Sequence, residues 1–260
     1  MAREVRIGTA AWALSRAAAE AFPGQGSHLQ RYAGALDGVE INSTFYRLPR
    51  ASTLQRWRDV TPAEFLFSVK MPGSITHECG LRGVGAELSA FLTLARELGP
   101  KLGPILVQLP PKLEFSAPTV RAFLKRLRGE YEGEVVWEPR HPSWFEERAT
   151  ALLAGQRIAR VAADPAPCSG AEQPAACGDV VYYRLHGSPR KYYSEYTPEY
   201  LAELARCLVA LDDRPCAPRS TWCIFDNTAL GAALPNALEL KRRVAIERQL
   251  RAASKPSRRR

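Results

Sequence analysis

An apolar run, Val135-Val136-Trp137, leads directly into Glu138, Pro139, Arg140 and His141. A carboxylate can take or give a proton, a guanidinium holds a phosphate or carboxylate, and an imidazole titrates near neutrality. The same habit recurs at Tyr183-Arg184-Leu185-His186-Gly187 and at Ala162-Ala163-Asp164-Pro165. Glu138, His186 and Asp164 are therefore the expected catalytic groups, an acid and a base whose environments separate their proton affinities. Carboxylates beside His186 could also ligate a divalent metal. The cations Lys70, Arg140 and Arg184 compete for those carboxylates, so no metal is favoured over a metal, and an anionic substrate is favoured over both. Lys70 could be a Schiff-base amine, but an ion pair is the simpler expectation. The chain has no serine nucleophile elbow, no Walker loop and no H-E-x-x-H, so the reaction class stays open among hydrolase, lyase and isomerase.

These residues need elements to position them. Eight short apolar or β-rich runs, bounded by Gly, Pro, Asp or Asn, read as strands: Val5–Trp12, Gly38–Tyr46, Phe65–Pro72, Gly103–Pro111, Glu134–His141, Ile158–Pro165, Val180–Gly187 and Ser220–Thr228. Helical spacing fills most gaps: Leu29–Leu36, Thr53–Val60 behind a Ser52 cap, Val84–Leu98, Ala117–Arg128 behind Ser116, Ser143–Leu153, Pro198–Leu211 and Asn236–Arg251. The link Ala166–Asp179 has Pro, Gly and Cys but little helical pattern, so the sixth helix is expected to be short or missing. Alternating strands and helices of this number and length predict an α/β fold, a single TIM (β/α)8-type barrel over residues 1–251. A doubly wound sheet is the other option, but Gly8-Thr9-Ala10-Ala11-Trp12 is not a phosphate-binding glycine loop.

Strand side chains alternate between helices and barrel interior. If the apolar set Val39, Ile41, Phe67, Val69, Ile105, Val107, Val135, Trp137, Val181 and Tyr183 faces the helices, then Glu40, Asn42, Ser68, Lys70, Gln108, Glu138, Arg140, Arg184 and His186 face inward. Asp164 is placed inward with Ala162, and Trp12 closes the first strand. Strand eight leaves Asp226 and Asn227 as alternatives. These groups gather at the C-terminal strand ends, the face on which barrel enzymes build their sites. Loop residues His77, His141, Tyr192 and Tyr193 reach the same rim. The expected ligand is a small polar molecule.

The formal charge of +9 is concentrated at one end. Residues 241–260 hold nine Lys or Arg against Glu247 alone, while the first 240 residues carry 27 basic and 26 acidic groups. Residues 252–260 read as a basic, disordered tail. Together with Arg190 and Lys191 beside Tyr192 and Tyr193, this tail is the basis for a second reading, nucleic-acid binding. A third is a ligand sensor without turnover. No apolar stretch is long enough to span a membrane, and the charged N-terminus is unlike a signal peptide, which points to the cytoplasm. Six scattered cysteines form no C-x-x-C pair, so neither a disulfide framework nor a zinc site using Cys168 and Cys177 is favoured.

Motifs along nearly the whole chain resemble the YecE-like family of bacterial and archaeal proteins, a domain-of-unknown-function family. They are Gly8-Thr9-Ala10-Ala11-Trp12, Val39–Tyr46, Phe67–Pro72 with Ile75-Thr76-His77, Leu106–Pro111, Glu138–Trp144, Tyr183–Gly187 and Phe225–Thr228. The resemblance implies a TIM barrel and carries over no catalytic residue. The family commonly has Asn-Asn after the aromatic of strand eight, whereas this chain has Asp226-Asn227, which adds a charge.

Overall fold

The computed structural model describes residues 4–16, 18–175, 180–213 and 218–254. Strand and helix alternate through it. The order is β1 (Glu4–Thr9), α1 (His28–Ala33), β2 (Gly38–Ile41), α2 (Ala51–Asp59), β3 (Leu66–Lys70), α3 (Gly85–Ala95), β4 (Leu102–Gln108) and α4 (Ala117–Glu130). There follow β5 (Val135–Glu138), α5 (Glu147–Gly155), β6 (Ala159–Arg160), β7 (Ala162–Asp164), β8 (Val180–Leu185), α6 (Pro198–Ala210), β9 (Ser220–Phe225) and α7 (Ala233–Ser254). All eight expected strands are present, the sixth broken at Val161 into β6 and β7. No helix occurs in residues 166–175 between β7 and β8, as the weak sixth unit predicts.

Every ladder between these strands is parallel. The strands form two sheets, β1-β9-β8-β7 and β2-β3-β4-β5-β6, in a barrel-like α/β arrangement. The sheets meet at both margins. At one margin a parallel bridge joins Ala10 to Glu40. At the other, β6 pairs with β5 while β7, one residue later, pairs with β8.

The buried apolar residues fall into two clusters, one on each face of the strands. The larger, between strands and helices, contains Ile7, Val39, Ile41, Phe67, Val69, Ile105, Val107, Val135, Trp137, Val181 and Phe225. The smaller contains Leu106, Val136, Ala159, Val161, Val180, Tyr182, Trp222 and Ile224. Period-two alternation sends one set to each face. Trp222 plugs the inner space and stacks on Tyr182 at 6.0 Å. Two backbones approach it closely: a Cβ at Gly103 would lie 2.7 Å from the Trp222 ring, and one at Gly38 2.8 Å.

Some local expectations need correction. Ser52 lies inside α2 rather than capping it, because the helix begins at Ala51 behind the extended Arg50, which makes no side-chain cap. Ser116 occupies the cap position of α4 but its hydroxyl caps nothing. Ser27 supplies a full capping box with Gln30 at the start of α1. Helix α7 continues through residues 252–254, so the expected tail is partly helical, while residues 255–260 lie outside the described residues. So do Cys177 and Cys216. The described cysteines Cys79, Cys168 and Cys223 are free thiols. Among the described residues no helix is long and apolar enough to cross a membrane.

Candidate functional site

Just above the Trp222 plug, the inner side chains change from apolar to charged. Arg184 on β8 is fully buried and donates to three carboxylates. Its Nε and Nη2 reach Glu40 Oε2 and Oε1 at 3.0 and 2.7 Å, a two-pronged pair. Nη1 reaches Glu138 Oε2 at 2.6 Å, and Nη2 also reaches Asp226 Oδ2 at 3.1 Å. Tyr182 donates to Glu40 Oε2 at 3.0 Å from below and lies 2.9 Å from Ser68 Oγ. His186, also fully buried, sits between two carboxylates. Its Nδ1 is 2.9 Å from Asp226 Oδ2 and its Nε2 is 3.2 Å from Glu138 Oε1.

Proton affinities follow from this packing. Burial would raise the Glu138 carboxyl, but Arg184, Arg140 and His186 outweigh it and hold Glu138 well below the usual range. Burial likewise opposes, and Arg184 and His186 win, at Asp226. The carboxylates lift the Arg184 guanidinium well above its ordinary value despite its burial. The floor groups hydrogen-bond to one another.

The layer above is less satisfied. Arg140, with a side chain 14% exposed, reaches Glu138 Oε1 with Nη2 at 3.1 Å and Nε at 3.3 Å. Lys70 closes β3 and is only 8% exposed. Among the described residues its Nζ has no oxygen partner; it stands 4.4 Å from the centre of the Phe45 ring. Burial, then Arg184, push its amine down to about 8. The expected ion pair at Lys70 is therefore absent among the described residues, because Arg184 and His186 already occupy the nearby carboxylates. Asn42, directly after β2, has a buried Oδ1 with no hydrogen-bond partner among the described residues.

Around the rim, His77 lies in a single π turn, Ser74–Glu78, edge-on to Phe45 at 4.8 Å. Gln108 Nε2 lies 3.2 Å from His77 Nε2, and Thr76 Oγ1 lies 2.9 Å from His77 Nδ1. Gln108 as donor leaves Nε2 as the acceptor and Nδ1 as the protonated nitrogen. Burial, Lys70 and Arg140 all push His77 further toward the neutral ring. Tyr192 stands edge-on over His186 at 5.7 Å, with Lys191 Nζ 5.3 Å from the Tyr192 ring. Burial and then Arg140 lower the Lys191 amine.

The comparisons with known proteins agree on one family. The family model described as "Protein of unknown function DUF72" matches residues 6–260. The chain belongs to the DUF72 family. Two curated relatives are UPF0759 protein YecE of Escherichia coli K12, 34% identical over 149 residues, and its counterpart in Escherichia coli O157:H7, 36% identical over 118. These matches cover 55% and 45% of this chain, and it spans about half the length of those relatives, 54% and 43%. A DUF72 family protein from Thermotoga maritima MSB8 superposes with a TM-score of 0.78 at 27% identity, covering 93% of this chain and 99% of the other. One from Enterococcus faecalis V583 gives 0.74 at 19%, covering 93% and 96%, a likeness of fold alone.

Not every expected residue of this DUF72 chain joins the ring. Glu40, Lys70, Gln108, Glu138, Arg140, Arg184, His186 and Asp226 do, with Asn42, His77 and Tyr192 at the margin. Asp164 does not. Ala159 and Val161 face inward with the smaller cluster, so Asp164 faces outward and accepts a 2.8 Å bond from Tyr196 Oη. The alanines around it carried too little parity information. Trp12 also turns away and packs edge-on against Trp57 at 4.7 Å, following Ala11 at φ 80°. Asn227 points behind the strand, where its Nδ2 binds Ser194 O and Asn236 Oδ1, which settles the inward position on Asp226. His141 caps the short helix Pro142–Phe145, its Nδ1 accepting from Ser143 N. Tyr193 is covered by Arg190, 4.0 Å from its ring centre. Phe45, at the end of the short helix Ser43–Phe45 that follows β2, seats both Lys70 and His77, and alternation along a strand gives no signal for it. Among the described residues no group of three or more His, Cys, Asp or Glu is arranged to hold a metal ion.

Proposed function

We propose that the two sheets close into one eight-stranded barrel and that its C-terminal face is an active site for acid–base chemistry on a small, polar, anionic molecule. The Ala10–Glu40 bridge and the split pairing of residues 159–164 support closure. The observation that carries the site is the contrast between floor and lip. Glu40, Glu138, Asp226, Arg184 and His186 satisfy one another, whereas among the described residues Lys70 Nζ has no oxygen partner, and Arg140 is part-exposed and bonded to Glu138 through Nε and Nη2. Lys70, Arg140 and Lys191 then bind the anion, a role that suits preorganised cations in a partly dehydrated site. Lys70, near 8, is the group placed to exchange a proton close to neutral pH. Glu138 and His186 lie too deep to touch a substrate and act by holding Asp226 and Arg140 in place. Asp164, on the outer face, has no part in this reading.

The test is thermal unfolding with inorganic phosphate, phosphorylated sugars, dicarboxylates and a single-stranded oligonucleotide. A ligand that binds only the native chain raises its stability, by about 2.7 kcal/mol at a hundredfold excess over Kd. We expect a small anion to raise the midpoint of the native chain and to have little effect on the Arg140→Ala, Lys191→Ala double variant. An equal shift in that variant would place the anion elsewhere. A response to the oligonucleotide alone would replace this reading with nucleic-acid binding.

A further inference from the structure

Lys70 differs from the other charges of the site in what surrounds it. It ends β3 between Asn42, at the end of β2, and Gln108, at the end of β4. Its backbone oxygen is tied down by Thr44 Oγ1 at 2.6 Å. Its amine rests over Phe45 with no carboxylate at ion-pairing distance among the described residues, and the nearest acids are already bound to Arg184 and His186. A lysine that only anchors an anion gains from staying charged. Here desolvation and a neighbouring guanidinium both favour the neutral amine, the two devices that turn a lysine into a nucleophile. Arg140 and Lys191 can hold an anion without it.

We infer that Lys70 is a covalent nucleophile that condenses with the carbonyl group of an anionic aldehyde or ketone to form a Schiff base. This rests on the reading of the C-terminal face as an anion-binding active site. The step balances without an added reagent. The ammonium and the carbonyl compound give a protonated imine and water; two protons of the ammonium leave with the carbonyl oxygen, and one positive charge stands on each side. The iminium draws electrons from the adjacent carbon, so a bond to hydrogen or carbon there breaks more easily. That favours isomerase or lyase chemistry over hydrolysis.

Glyoxylate, a small anionic aldehyde, is the probe. The full chain is incubated with it at neutral pH, reduced with borohydride and digested, and each lysine is examined by mass spectrometry for the carboxymethyl adduct. Exposed Lys112 and Lys125 serve as internal references. An amine near 8 carries more than about a hundredfold more free base at pH 7 than an ordinary lysine, part of which is offset by lower intrinsic nucleophilicity. Lys70 is expected to be trapped at least about tenfold faster than either reference, and saturating phosphate should slow Lys70 alone. Lys70→Arg should lose the rapid adduct while keeping its melting midpoint. Trapping of Lys70 no faster than Lys112 and Lys125 would overturn the inference. If phosphate stabilises the chain through Arg140 while Lys70 stays unmodified, the covalent role falls and anion binding stands. Rapid trapping without any anion-induced stabilisation would leave the covalent role and remove the anion site.

Discussion

Lys70 and Lys101 are equally buried, each 8% exposed, yet they sit at opposite ends of neighbouring parallel strands. Lys101 immediately precedes β4. Its Nζ donates to Arg58 O at 2.5 Å, Thr61 O at 2.6 Å and Thr61 Oγ1 at 3.0 Å. It fills all three donor positions at the C-terminal end of α2, where unpaired carbonyls and the helix dipole favour a cation. Lys70, at the end of β3, faces an aromatic ring instead. The strand N-termini thus use buried charge to complete backbone hydrogen bonding. At the C-terminal ends, Lys70 has no oxygen partner for its Nζ among the described residues and rests on the Phe45 ring.

The comparison can be broken from either side. The largest effect is expected at the floor beneath Lys70. Arg184→Ala removes the partner shared by Glu40, Glu138 and Asp226, and loss of one member of a buried ion-pair network costs about 3–5 kcal/mol. Denaturant midpoints would measure it; a loss under about 1 kcal/mol would mean the floor is not the desolvated cluster described.

Next come the two lysines, with opposite signs. The folded value of Lys70, about 8, lies below the 10.5 of a free lysine. Between those values the unfolded chain holds a proton that the folded chain lacks, so stability rises with pH across that window. The span is worth about 3 kcal/mol at most. Lys70→Met should therefore be more stable than the native chain at pH 7, with the advantage vanishing as pH climbs from about 8 to about 10.5. Lys101→Met should be less stable by about 1.5–3 kcal/mol, because it orphans three acceptors. If both substitutions destabilise equally at neutral pH, the contrast between the two ends is wrong. The smallest effect concerns the plug. Gly103→Ala puts a methyl against Trp222 and should cost about 1–3 kcal/mol while leaving phosphate-induced stabilisation unchanged.

Where bulky apolar residues alternate with polar ones, the inner ring could be read directly. Phe67 and Val69 against Ser68 and Lys70, or Val135 and Trp137 against Val136 and Glu138, leave one choice of face. Alternation carries no face information where side chains are small or the backbone leaves the strand. Ala159, Ala162 and Ala163 are nearly neutral between faces, so Asp164 was assigned inward although Ile158 already marks the outer face. Ala11 at positive φ turns the chain just before Trp12, and alternation says nothing beyond such a turn.

By itself, the sequence determined the alternation of strands and helices, the lack of helix in residues 166–175 and the gathering of polar groups at the C-terminal strand ends, because period and punctuation are local properties of the chain. Tertiary structure alone decided how those charges are shared. Arg184 takes Glu40, Glu138 and Asp226 together, His186 bridges two of them, and Lys70 is left against Phe45. Residues 40, 138 and 226 are far apart in the chain, and only the tertiary fold brings them within 3.1 Å of the Arg184 guanidinium, where each carboxylate it engages is one fewer for the lysine above.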